Sequence, residues 1–170
     1  MTSTLRFVEL PPPVMTALLD GDLPTASALA GAPLTAYFLT EDAKWLWRYR
    51  LDQLERSPED AAWIVRAAVA EPEGAVVGHT GFHSAPDENG TVEISYSVAP
   101  AHRRRGHATA MLAALLARAA AEPSVRTVRA TISPDNAASL ATLAGNGFRH
   151  VGEQWDERDG RELIFERPAR

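Results

Sequence analysis

The sequence contains no cysteine. That removes a disulfide framework, a thiol nucleophile and any zinc site built on thiolates. It also lacks an excess of positive charge: 17 Lys and Arg stand against 22 Asp and Glu, for a formal charge of −5 and a pI near 5.5. A general nucleic-acid binder carries a basic footprint, so no nucleic-acid partner is expected. No apolar run reaches bilayer-spanning length, and the opening MTSTLRFVELPPP has no apolar stretch of signal-peptide length. The expectation is a soluble cytoplasmic protein with no membrane partner. Neither G-x-G-x-x-G nor a P-loop glycine followed by Lys and Ser/Thr occurs, so both standard nucleotide fingerprints fail. Repeats, linkers and low-complexity tracts are missing as well, which leaves residues 1–170 as one α+β domain with a single substantial core.

What is present centres on residues 91–109, TVEISYSVAP followed by AHRRRGHAT. Val92, Ile94, Tyr96 and Val98 alternate with Thr91, Glu93, Ser95 and Ser97, the period of a strand. Pro100 cannot donate to a sheet ladder, so pairing should end there. From Ala108 onward, Met111, Leu112, Leu115, Leu116 and Ala119 recur at helical spacing. The turn between is Arg103-Arg104-Arg105-Gly106-His107-Ala108. A helix N-terminus offers unpaired N–H groups and a positive dipole end, Gly106 and Ala108 permit close approach, and three arginines add charge. Such a loop suits a pyrophosphate; without a ligand it is a solvated basic turn, and clustered like charges then gain nothing.

The rest of the chain reads in order. Residues 5–10 form a first strand closed by three prolines, and 14–19 a short helix. A loop follows with Gly21, Pro24, Gly31 and Pro33, then a helix over 41–56 stopped by Ser57-Pro58. In that helix Trp45, Leu46, Tyr49 and Leu54 are expected to face the core. Residues 61–69 and 75–83 read as a hairpin around Glu71-Pro72-Glu73-Gly74, and 84–90 as a loop. After the long helix, 125–132 is a strand, 136–144 a helix ended by Gly145-Asn146-Gly147, and 148–155 with 161–166 a closing hairpin around Asp159-Gly160.

Arg103-x-x-Gly106-x-Ala108 after a Val98-x-Pro100 strand end resembles the acetyl-CoA signature of the GCN5-related N-acetyltransferases (GNAT family). Asn136-x-x-Ser139 followed by Gly147-Phe148 is similar to that family's later helix and strand start, in the same order and at about the same spacing. The resemblance covers roughly residues 74–165. It implies a mixed, mostly antiparallel sheet of six to seven strands with about four helices and a splayed parallel pair at the centre. It also implies acetyl-CoA as cosubstrate, an amine acceptor, no metal, and the option of a homodimer. By this likeness the pantetheine arm lies near Val98 and Pro100 and is touched by Asn136, and the pyrophosphate sits on the backbone from Arg104 to Thr109 beside Arg103, Arg105, His107 and Ala108. Trp45, Trp47 and Tyr49 then either pack in the core or edge the acceptor pocket.

Glu93 stands on the polar face of its strand, which suggests a cleft, and the resemblance implies a carboxylate there that takes the amine's proton directly or through water. Otherwise it is a surface carboxylate or an internal hydrogen-bond partner. His79 and His83 compete for the base role: a symmetric hairpin would set them opposite Ser95 and Thr91, on the face of Glu93. Asn136 and Ser139 lie one helical turn apart, and Asn136 can cap its helix. Where many family members have a tyrosine that protonates the departing thiolate, this chain has Leu143. In that it resembles the branch that acetylates ribosomal-protein N-termini and related amines, with Ser139 assisting the leaving group. The expected activity is direct N-acetyl transfer in a ternary complex; a non-catalytic acyl-CoA-binding or sensing domain is the alternative. The acidic balance favours a cationic amine near Asp156, Glu157 or Asp159.

Overall fold

In the computed structural model, which describes residues 4–170, the chain forms seven strands and five α-helices. The strands are β1 (Thr4–Glu9), β2 (Arg66–Glu71), β3 (Ala75–Phe82), β4 (Thr91–Val98), β5 (Thr127–Ile132), β6 (Arg149–Asp156) and β7 (Gly160–Pro168). The helices are α1 (Pro12–Leu19), α2 (Leu23–Ala30), α3 (Glu41–Arg56), α4 (His107–Ala121) and α5 (Ala137–Leu143). None of the described helices is long and apolar enough to cross a membrane. The strands form one sheet in the order β1-β2-β3-β4-β5-β7-β6, antiparallel throughout except for β4 and β5.

Three local readings are corrected. The glycine- and proline-marked loop after α1 contains α2. Asp22 caps it by accepting from the Thr25 N–H at 3.1 Å, Pro24 sits in its first turn, and Gly31 ends it at φ 71°. Those are cap signals as much as loop signals. The second strand starts at Arg66, because Pro58–Ala62 winds into a 3₁₀ turn whose Asp60 carbonyl accepts from Trp63 and Ile64. In α3 the buried residues are Ala43, Trp47 and Arg50, whereas Trp45 and Tyr49 are exposed. The phase is set by Trp47, which stacks on Phe38 at 5.9 Å and donates its indole N–H to the Phe38 carbonyl at 2.8 Å.

Strand parity separates two layers. Ala67, Val69 and Val76 pack with α1 and the α3 residue Trp47, whereas Ala68, Ala70 and Val77 pack with Met111 of α4. On β4, Val92 and Ile94 join Leu112 and Leu115 beneath α4, which turns Glu93, Ser95 and Ser97 to the α3 side. The β4–β5 ladder holds only at Thr91↔Thr127, Val92↔Val128 and Glu93↔Arg129. Beyond Glu93, β5 stays paired with β7 as far as Ile132↔Leu163 but no longer with β4. The splay opens there.

Candidate active site

The α4 end of the splay is built for an anion. Gly106 caps α4 at φ 83°, a conformation that favours glycine, and supplies no side-chain cap. The first intrahelical bond runs from the Ala110 N–H to the Gly106 carbonyl at 3.0 Å, so the N–H groups of His107, Ala108 and Thr109 have no helical partner. They open on a cleft of about 730 Å³ that is also lined by Val98, Arg103, Arg104, Asn136 and Ser139. Arg103 is fixed against the strand end, its Nε donating to the Val98 carbonyl at 3.0 Å. Arg105 is exposed and lies outside this lining. Free amides at a positive dipole end beside two guanidiniums fit a pyrophosphate. Asn136 caps α5, its Oδ1 accepting from the Ser139 N–H at 3.1 Å, so both residues reach this cleft from one helix end.

A second cavity, of about 810 Å³, lies on the other side of the splay, under α3 and the β6–β7 tip. Its floor is the polar face of β4 with β3. His79 pairs with Ser97, and the His83 N–H donates to the Glu93 carbonyl at 2.8 Å. The register is two residues from the symmetric expectation, yet parity is kept, and both histidines share the face of Glu93. His83 Nδ1 meets Glu93 Oε2 at 2.5 Å, which leaves Nε2 as the second ring nitrogen. His79 has a different setting: it borders the same cavity but is half-buried and packed among Tyr37, Phe38 and Trp47, with ring centroids 5.6–5.9 Å away. Burial first, and the Arg50 charge second, lower its pKa to about 4, so it is neutral at physiological pH. The two cavities share Tyr96 and Ser97, at the point where β4 has left β5.

A family model for the acetyltransferase (GNAT) domain matches residues 17–149. The chain belongs to the GNAT acetyltransferase family. It is 32% identical over 152 residues to an L-2,4-diaminobutyric acid acetyltransferase of Nocardia farcinica, covering 84% of this chain and 75% of that one. To an uncharacterized N-acetyltransferase of Bacillus subtilis it is 34% identical over 87 residues, which span 51% of this chain and half of the relative. The solved structure of a ribosomal L7/L12 alpha-N-protein acetyltransferase superposes with a TM-score of 0.62 over 98% of this chain and 94% of that chain; at 15% identity it shows a shared fold.

Within this GNAT framework three residues went unread in the sequence. Tyr96 alternates with the core positions, and only the splay exposes it; its hydroxyl donates to the Ser139 carbonyl at 3.4 Å. Burial raises its pKa, so the phenol keeps its proton. Leu143, at the family's tyrosine position, is core and bears no acid. Glu162, on β7 just past the last β5 pairing, is buried, accepts from Gln154 Nε2 at 3.0 Å and faces the second cavity. Arg50, the third, donates from Nη1 to the His83 carbonyl at 2.8 Å and to Gln53 Oε1 at 2.6 Å. Gln53 in turn donates to His83 and to Asp60, so the backbone carrying the histidine is clamped from α3.

Proposed function

We propose that the protein is an acetyl-CoA-dependent N-acetyltransferase that acetylates a primary amine of a small acceptor by direct attack in a ternary complex. The observation that carries this reading is the His83–Glu93 pair, set on the floor of the second cavity where the β4–β5 ladder ends. Glu93 orients the imidazole through Nδ1, and Nε2 accepts the ammonium proton; the carboxylate then stabilises the imidazolium. From Ile94 to Val98, β4 has no β5 partner, so backbone groups on that edge are available to the pantetheine amides and, near Val98, to the thioester oxygen. Tyr96, protonated beside Ser139, is the donor for the departing thiolate, and Ser139 orients the sulfur or a relay water.

A small amine is favoured over a ribosomal-protein N-terminus. The relative that matches most of the chain is named for a diamino acid, and the protein-acetylating likeness rests on fold alone. The cavity's tip carries Asp156, Glu157 and Asp159 with the exposed Trp155, which suits a cationic acceptor.

The test is CoA release on an amine panel, run beside acetyl-CoA calorimetry. Glu93→Gln should lower kcat by about 100-fold or more with acetyl-CoA affinity unchanged. His83→Asn should do the same; activity retained in His83→Asn would return the base role to Glu93 acting through water. Tight acetyl-CoA binding without turnover on any amine would favour the sensing-domain alternative.

A further inference from the structure

Arg50 bears a buried charge with no carboxylate in direct contact; Asp60 and Glu93 act on it only from a distance. The residue is 4% exposed, lines the acceptor cavity, and takes part in none of the ion pairs among the described residues. Nη1 clamps the His83 backbone, but among the described residues Nη2 makes no hydrogen bond and Nε is buried without a partner. Leaving a buried donor unmet is costly, and more so when it is charged. A clamp alone needs only Nη1. The unpaired edge, Nε with Nη2, is the edge on which guanidinium receives a carboxylate through two parallel bonds.

We propose that Arg50 binds a carboxylate of the acceptor, so that the substrate is a short amino acid rather than a simple amine or a polyamine. This rests on the N-acetyltransferase reading of the same cavity. His83 links the two ends: its carbonyl is on Arg50 and its ring is on Glu93. An acceptor with a carboxylate at the guanidinium and an amine at the imidazole would therefore bracket this one residue. Buried Glu162 and the tip carboxylates Asp156, Glu157 and Asp159 line the same cavity and offer a place for a second ammonium. A diamino acid satisfies all three groups.

The test uses matched acceptors that differ by the carboxylate: 2,4-diaminobutyrate against 1,3-diaminopropane, ornithine against putrescine, lysine against cadaverine, and each acid against its carboxamide. Wild-type enzyme should favour the best acid by roughly 30-fold in kcat/KM over both its diamine and its amide. In Arg50→Met the ratio should fall to about threefold or less, through acceptor KM and with acetyl-CoA KM unchanged, and Arg50→Lys should recover part of it. The wild-type arm decides even if a variant folds poorly. Diamines or amides used as well as the acids would overturn the inference and leave the N-acetyltransferase reading standing. A preference unmoved in folded Arg50→Met would also overturn it. No turnover on any amine by protein that binds acetyl-CoA would overturn both.

Discussion

Two histidines four residues apart on one strand face have opposite environments, and the difference is chemical rather than positional. His83 meets a carboxylate at the cavity wall; His79 is packed among three aromatic rings. The second setting has a consequence for stability. The unfolded chain protonates His79 near pH 6.5, whereas the native state resists protonation until about pH 4. Between those values the unfolded state binds more protons, so stability is full above pH 6.5 and falls as the pH drops toward 4, by on the order of 3 kcal/mol. Urea titrations across this window should show the slope, and His79→Phe should flatten it. Tyr96 gives a kinetic counterpart. Tyr96→Phe should lower kcat about tenfold while leaving acetyl-CoA affinity unchanged; an unaltered kcat would remove the phenol from the proton path.

Among the elements, the turn into α4 and the β3–β4 pair bear most on function. Arg103 and Arg104 line the cofactor cleft and Arg105 does not. Calorimetry should therefore find acetyl-CoA bound at least about tenfold more weakly by the Arg103→Ala/Arg104→Ala variant, and within about twofold of wild type by Arg105→Ala. Gly78 sets how closely β3 approaches β4. A Cβ there would lie 1.9 Å from the Ser97 carbonyl oxygen, a backbone atom that cannot swing away. Gly78→Ala should cost about 3 kcal/mol in chemical denaturation, and should weaken acetyl-CoA binding because the displaced strand end carries Ser97 and Val98. Gly106 differs: the space around its Cβ position is open, and its constraint is the positive φ alone.

For the whole molecule, the important feature is that the two halves of the sheet, β1–β4 and β5–β7, are joined by a short parallel ladder. One core lies under α1–α3, the other under α4 and α5, and the ladder between β4 and β5 has only three residue pairs. A ligand that fills the splay replaces the missing ladder and touches both halves. Acetyl-CoA at 100 times its Kd should add about 2.7 kcal/mol, or roughly 5–10 °C in Tm for a chain of this size. Amide exchange should slow most along β4 and β5; protection confined to the α4 turn would mean that the splay is not bridged.

The sequence by itself determined what local chemistry can encode. Alternation marked β4 and β5, the Gly106 turn marked the start of α4, Asn136 marked the α5 cap, and strand parity put His79, His83 and Glu93 on one face. These depend on residue spacing and backbone sterics within a few positions. The missed elements follow the same logic: proline and glycine signal both loops and helix ends, so the segment after α1 reads as a loop although Asp22 and Gly31 frame the two-turn helix α2. Only the tertiary structure decided the rest. Which face of α3 is buried depended on Phe38 meeting Trp47, and which histidine holds Glu93 depended on a two-residue register. Tyr96, Glu162 and Arg50 became site residues because a strand pair separates and two distant segments close over the gap. Those outcomes come from contacts between residues far apart in the chain, where a side chain's chemistry is set by what packs against it.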